Sequence, residues 1–579
     1  LSACNEDKGN YDYIDINRVD SIQNISGNYS VYLGYRLQIN PRLVYSQGSN
    51  ENDFEYKWYY YESSTWKLLQ EGLNFDQEIA PPIGKNRTIA FEAYNTKTGA
   101  RYLRTFTITL SNPKGYAALC ETSSGFDIYM ASYLPTDDIF AFSPNVLEGS
   151  DIPHTNGEKP IDIVTATCYI PLAPTQFSPD EDEASRKYFV YILTDQYTTA
   201  VSSKDFAWKP DYKIESVIEG GSYLDVNYKQ QSKPIIAQKI KMTDASGRMV
   251  HMYQVDKETG KGNWFMYTIY PLVRLFCNPL NVSFKKDGNN NLPDESKRFE
   301  PSPYSYVWGM NSPIIWDKDN KKFNLVLIKN HPSDYSFYNA FFSIPFVNGP
   351  TGGEFSFTDP DFKDLVYMGE TFENATNPNG FAVMELNSGG YRFIRFGGLV
   401  GTAMTTASQT TYTPPAMTRA RDKASKFAAS SRIGSAKFVE VYPNSTFLYY
   451  VTNDNKVFKA DVSGATAIET EITNLFVKDG YTEITAFEFP LPDTQGGGDC
   501  PSSLEKGLAV GTINPSKPKD ECGKLEIFTL VDGSLNGSLE LAKYPTDAQV
   551  TAKPELAEKQ RTMSFTGMAK IVGLDYKKK

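Results

Sequence analysis

The sequence is poor in the residues that most enzyme chemistry needs. Three histidines occur in 579 residues, His154, His251 and His331, far apart and in no H-E-x-x-H spacing. No G-x-S-x-G elbow is present and no histidine has a triad context, so nothing in the sequence signals a nucleophile beside a base. No G-x-x-x-x-G-K-[ST] loop occurs, which removes the phosphate-loop nucleotide hydrolases. No run of about 18 apolar residues occurs, which removes a transmembrane helix. Basic residues are outnumbered, 58 against 69 acidic, giving a net charge of −11. Such a surface repels phosphate backbones, so nucleic acid is not an expected partner.

Aromatics, in contrast, are plentiful: 38 Tyr and 35 Phe, with 34 Pro and 41 Gly spread along the chain. That composition favours many short strands and turns. The length suggests roughly two to four domains. Residues 1–19 read as a terminal tether, polar from Asn5 to Tyr13. Residues 20–112 read as an immunoglobulin-like β-sandwich of about seven strands. Within RYLRTFTITL, Tyr102, Arg104, Phe106 and Ile108 alternate with Leu103, Thr105, Thr107 and Thr109, the pattern of a strand with one buried face. The Thr98-Gly99 turn reverses the chain before it. Trp58, in EYKWYYYES, is the expected core residue. Of its neighbours Tyr56 and Tyr59 to Tyr61, alternation sends half inward and half out, where they can meet a sugar or peptide.

From Tyr116 a new pattern repeats. YAALCET faces FDIYMAS across SSG, VHMYQVD and NWFMYTI flank KETGKG, and FAVMELN and YRFIRF flank SGG. KYFVYILTD with TTAVSSKDF, PIIWD with KKFNLVLI, FLYYVTN with KVFKADV, and GLAVGTINP with KLEIFTLVDGS behave alike. Repeated hairpins of this kind over residues 113–579 predict a β-propeller of about seven blades. The chain as a whole is expected to be all-β. The strand-like GMAKIVGLDYK is expected to complete the blade that begins at YAALCET, since closing the ring removes exposed edges. Residues 401–436, rich in Thr, Ala and Ser, read as an inserted surface loop with a short helix after Pro415.

Sixty-nine acids make carboxylate pairs unavoidable and uninformative, and no sialidase-type Asp box appears. No cofactor is expected. Calcium is the metal an acidic turn would favour, and Asp317 and Asp319 in WDKDNKKF are the candidates. The turn lacks the glycine and distal glutamate of an EF-hand loop, so a solvated turn is the better reading. The run PDEDEAS reads as a hydrated loop. Among six cysteines, Cys120, Cys168 and Cys277 lie in apolar runs and read as buried thiols. Cys500 and Cys522 are the one pair placed for a disulfide, but the strand GLAVGTI between them spans about 23 Å at 3.3 Å per residue. Bridging needs Cα atoms within about 7 Å, so the loop 491–506 would have to fold back.

The stretch Leu1-Ser2-Ala3-Cys4 resembles a bacterial lipobox, in which small residues precede the cysteine that is acylated. On that reading the chain is close to its mature form, and acyl chains on Cys4 anchor it without spanning the membrane. Glu6 and Asp7 resemble the signal that sends lipoproteins of Bacteroidota to the outer surface. With GNYDYIDIN, FEAYNTKTGARYLRTFTITL, GYAALCETSSGFDIYMAS, LYYVTNDNKVFKAD and GMAKIVGLDYK, the whole resembles the PKD-like surface lipoproteins of Bacteroidota. That resemblance implies an outer-membrane protein on the extracellular face, an accessory component of a nutrient importer. Its implied partners are a SusC-like transporter and a SusD-like lipoprotein, with oligopeptide or oligosaccharide as cargo and no catalytic residues to carry over. Trp208, Trp264 and Trp316 are candidate ligand-stacking residues at a propeller mouth, with a structural role as the alternative. Two rival functions stand beside a binding role: a propeller glycosidase or lyase, and a structural subunit without a ligand.

Overall fold

The computed structural model describes residues 18–577. Excepted are 32–34, 48–52, 80–86, 111–113, 135–138, 156, 170–187, 204–205, 215–236, 243–248, 257–258, 269–275, 280, 288–289, 309–311, 329–340, 346–355, 375–376, 398, 401–415, 418–422, 443–444, 491–506 and 532–535. The chain divides into two compact units, Leu1–Ser111 and Asn112–Lys579.

Among its described residues the first unit has nine strands: β1 (Val19–Gln23), β2 (Asn28–Val31), β3 (Arg36–Ile39), β4 (Arg42–Tyr45), β5 (Phe54–Glu62), β6 (Thr65–Glu71), β7 (Phe75–Glu78), β8 (Arg87–Asn95) and β9 (Arg101–Leu110). Five form a sheet in the order β2-β9-β8-β5-β6, in which β2 runs parallel to β9. The pairs β1-β4 and β3-β7 complete the sandwich. Alternation along β5 and β9 turns Trp58, Phe106 and Ile108 inward, where all are buried with Phe75 and Phe91. The Trp58 ring lies 4.6 Å from Phe91 and 5.0 Å from Phe75, and its Nε1–H donates to the Gly72 carbonyl at 2.9 Å. Gly99 carries the turn into β9 at φ +73°, a conformation that costs glycine little.

The second unit is a seven-bladed β-propeller. Its seven principal sheets have four strands each, save blade 2, with three among the described residues, and blade 7, with five. The seven hairpins legible in the sequence are the second and third strands of the seven blades. The first, innermost strands are Lys570–Lys577, Pro160–Tyr169, Ala237–Met242, Pro301–Trp308, Phe362–Asn374, Ala436–Val441 and Glu483–Glu488, for blades 1 to 7. Each packs beside the next, and the last returns to the first, so the ring is closed.

Closure uses both ends of the propeller. The C-terminal strand pairs with Gly115–Thr122, in a register that sets Tyr116 against Tyr576 and Ala118 against Leu574. Around it Tyr116, Ala118, Leu525, Ile571 and Leu574 form one buried cluster spanning blades 1 and 7. Each of the larger side chains contributes roughly 1.5–3 kcal/mol by leaving water. The region after Pro415 departs from the expected helix. Ala416–Met417 pairs with Leu399–Val400, and Lys423–Lys426 becomes the fourth strand of blade 5. Strand pairing with Tyr391–Gly397 overrides the helical preference of Lys423-Ala424-Ser425-Lys426.

Candidate functional site

The seven inner strands line the propeller's axis, and each carries a register break. The extra residues include Ile161, Gln238, Lys363, Lys437, Thr485 and Val572. Pairing also shifts between Pro301 and Ser305 in blade 4. A bulge bends the strand and re-aims the side chains that follow it. Two bulges are pinned by side chains. Gln238 Oε1 accepts from the Val255 N–H at 2.7 Å. Lys437 Nζ donates to Asn455 Oδ1 and to the Ile484 carbonyl, both at 2.7 Å. Blades 1 and 2 approach closely here, since a Cβ on Gly573 would lie 2.7 Å from the Ile163 nitrogen.

Beyond the bulges the axis is polar and two-sided. Asp162, Glu440, Glu488 and Asp575 bring carboxyl groups from blades 2, 6, 7 and 1. Asp575 accepts from the Thr165 N–H at 2.5 Å, the Thr165 hydroxyl at 2.9 Å and the Tyr576 N–H at 2.8 Å. Glu488 is hydrogen-bonded to Asp575. Three donors on Asp575 favour its charged form. Burial pushes the Glu488 carboxyl well above the usual carboxylate range, and the charges of Asp575, Glu440 and Asp162 add to the effect.

The facing side is aromatic and carries a cation. Lys239 Nζ lies 4.4 Å from the Tyr304 ring centre and 5.7 Å from that of Tyr367. The two tyrosine rings are 4.5 Å apart. Tyr367 joins the two sides: burial and then the charges of Glu440, Tyr304, Glu488 and Glu370 hold its hydroxyl in the neutral form. The arrangement suits a ligand with amino or other hydrogen-bond-donating groups. Elsewhere a cleft of about 530 Å³ is lined by Lys459, Glu471, Asn474, Gly537 and Ser538. Its charged groups have protein partners: Lys459 donates to the Asn536 carbonyl, and Glu471 accepts from Lys456 and Thr473.

The residues singled out in the sequence lie elsewhere. Trp264 and Trp316 are fully buried, which removes both from any ligand-facing surface and corrects that expectation. Their indole N–H groups donate to the Ser302 carbonyl and to Asp364 Oδ1, each at 2.9 Å. A bulky ring with one donor fits an inter-strand position that supplies one acceptor. Trp208 is half-buried and donates to Thr199 Oγ1 at 2.9 Å. Cys522 is a buried free thiol whose Sγ contacts the Lys519 carbonyl at 3.2 Å. Cys4, Cys500 and the acidic run 179–185 lie outside the described residues. Asp317 accepts from both the backbone and side-chain nitrogens of Asn320 at 2.8 Å, and Asp319 accepts from the Glu300 N–H at 2.8 Å. These two carboxylates tie a turn together, and no metal-binding group of three acids, histidines or cysteines occurs among the described residues.

The axial carboxylates had a sequence signal. Ile161-Asp162-Ile163, Val439-Glu440-Val441, Phe487-Glu488-Phe489 and Leu574-Asp575-Tyr576 each set one acid between two apolar residues. Three of these triplets stand one strand ahead of a legible hairpin, and the fourth stands in the closing strand.

Comparison with known proteins locates the N-terminal part. A model of the PKD-like family matches residues 4–130. No curated protein matches the chain. Among solved structures, a quinonprotein alcohol dehydrogenase-like protein from Bacteroides thetaiotaomicron VPI-5482 is 10% identical, over 90% of this chain and 95% of that one, with a TM-score of 0.35. An exotype rhamnogalacturonan lyase is 10% identical, over 87% of this chain and 80% of that one, with a TM-score of 0.27.

Proposed function

We propose that the chain is a surface-displayed binding protein, an accessory component of an outer-membrane nutrient importer. Acyl chains on Cys4 hold it on the extracellular face of the outer membrane. The propeller axis takes the cargo, an oligopeptide or oligosaccharide, for a SusC-like transporter and a SusD-like lipoprotein. One observation carries this reading: the PKD-like match starts at Cys4 and runs without a break through the sandwich into the first propeller strands. The carboxyls of Asp162, Glu440, Glu488 and Asp575 favour cargo with an amino group, which peptides and amino sugars share.

The test is extraction from the native outer membrane in mild detergent, with mass spectrometry of what co-purifies. A SusC-like barrel and a SusD-like lipoprotein in stoichiometric amounts are expected. Isolation of the chain alone would overturn the importer assignment. Cys4→Ala is expected to release the protein from membranes, and retention there would refute the lipid anchor. Stable complex formation with no ligand heat in calorimetry would instead make it a structural subunit.

One observation favours a second reading, a propeller glycosidase or lyase. A carboxyl whose proton is held more tightly than usual, as burial and Asp575 make that of Glu488, is what a general acid requires. Its hydrogen bond to Asp575 sets that pair closer than the roughly 5–5.5 Å that acid and nucleophile need in a retaining glycosidase. Turnover of a polysaccharide panel, abolished by Glu488→Gln, would establish the enzyme.

A further inference from the structure

The sandwich has a second feature that the axial reading does not use. The outward face of its five-stranded sheet gathers four large apolar side chains that are exposed: Trp66 (45%), Tyr61 (42%), Leu68 (52%) and Leu103 (61%). Register places Tyr61, Trp66 and Leu68 side by side and sets Leu103 two rows away, in line with Glu92 and Lys57. Tyr61 pairs with Trp66, and Tyr59 pairs with Leu68 on one side and Ala90 on the other. Ala90 in turn pairs with Thr105, and Glu92 with Leu103. The Tyr61 and Trp66 rings lie 5.1 Å apart at 58°, forming an open angle. Thr105 and Thr107, both exposed, continue the face across β9, with the Thr107 hydroxyl donated to Asn28 Oδ1 at 2.8 Å. This is where the outward half of the Tyr59–Tyr61 run ends up.

We propose that this face binds a neutral glycan by stacking sugar rings on Trp66 and Tyr61. Charge is the first argument. The charged groups of this face are paired and leave one net negative charge: Lys57 lies 3.8 Å from both Glu55 and Glu71, and Arg101 lies 3.5 Å from Glu92. Those charges lie in other rows, and the pairs Tyr61–Trp66 and Tyr59–Leu68, continued by Ala90 and Thr105, are uncharged, part aromatic and part hydroxyl, matching a polymer with apolar C–H faces and hydroxyl rims. Size is the second argument. Three strand spacings of about 4.8 Å and two outward residues along each strand give a patch of roughly 14 by 14 Å. That is about 200 Å², against about 800 Å² per partner in a stable protein interface. It fits two or three sugar rings. The edge strand β6, which carries Trp66 and Leu68, is guarded against adding a peptide strand. Lys67 points along it in a 2.6 Å ion pair with Glu62, and the pairing is bulged between Trp58 and Tyr59.

This site is independent of the axial one, and the test separates them. The full chain in detergent is run on native gels containing starch, xylan, galactomannan or mixed-linkage β-glucan. Retardation is expected in at least one of them. Trp66→Ala and Tyr61→Ala are each expected to weaken it at least tenfold, while Trp66→Phe keeps it within about threefold. Because both side chains are exposed, the thermal midpoint should move by no more than about a degree. No retardation in any of the four gels, or full retardation in both alanine variants, overturns the proposal. Loss in Glu488→Gln with retention in Trp66→Ala also overturns it and moves the glycan to the propeller axis.

Discussion

The middle and inner strands of the propeller obey opposite rules. In blade 6 the second strand, Phe447–Thr452, is buried at every position. The first strand, Ala436–Val441, has only two buried residues, Val439 and Val441. The middle strand has neighbours on both edges and a blade on both faces, so every side chain leaves water. The inner strand has one face on the axis, where Lys437 and Glu440 stay half-exposed. Stability is therefore concentrated in the middle strands, and polar recognition in the inner ones.

That contrast is broken most severely by opening a hole in a middle strand. Leu448 is fully buried in a cluster with Val439, Tyr450 and Ala460. Leu448→Ala is expected to cost about 2–5 kcal/mol, read as a lower urea midpoint. An equal truncation on an inner strand at half-exposed Phe438 should cost less than half as much.

Next in size is an exception among the middle strands. His251, in Met249–Val255, is fully buried, and neither ring nitrogen has a hydrogen-bond partner among the described residues. Burial lowers it from 6.5 to about 3, so the folded protein holds it neutral. The unfolded chain takes up a proton first. The stability it permits is complete above pH 6.5 and is lost as pH falls from there toward 3, by roughly 1.4 kcal/mol per pH unit. His251→Leu should flatten this acid limb in urea titrations at pH 7, 5.5 and 4.5. An unchanged limb would mean that another group carries it.

The two classes of strand also differ in how openly the sequence declares them. The middle strands show apolar runs broken at few positions, such as His251, and bounded by polar turns, and all seven are legible. Inner strands carry an extra residue at the bulge, which breaks the two-residue period by which a strand is recognised. The short triplets around Asp162, Glu440, Glu488 and Asp575 survive that interruption, but a single acid between two apolar residues is weak until the ring brings four of them together. Tryptophan misled for a related reason. Size and aromaticity suggest a stacking platform, yet Trp264 and Trp316 fill inter-strand space with their one donor satisfied by the protein. Among the tryptophans whose burial is described, Trp66, on an edge strand, is the exposed one, and its exposure follows from strand register, which the sequence does not state.

The contrast sharpens on removing a carboxyl from the axis. The Glu488 carboxyl is raised well above its ordinary range in the folded protein, chiefly by burial and by the charge of Asp575. A raised carboxyl destabilises the folded state as pH climbs above the ordinary value of 4.5. Glu488→Gln should therefore raise the urea midpoint at pH 8 and leave it unchanged at pH 4. A drop at pH 8 would mean that the charged form is the one the axis holds.

The smallest effect is expected at a bulge itself. Thr485 is the extra residue of the blade 7 inner strand, and its hydroxyl is buried with no hydrogen-bond partner among the described residues. A hydroxyl kept from water without a partner stabilises nothing, so Thr485→Val, which keeps the shape, removes a cost. The change should be neutral or stabilising by up to about 1 kcal/mol in urea unfolding. If inner strands were built like middle ones, a residue at this place would be held by packing and its replacement would be felt. A loss above about 1 kcal/mol would therefore show that the Thr485 hydroxyl does hold the bulge, and that inner strands share the stabilising work.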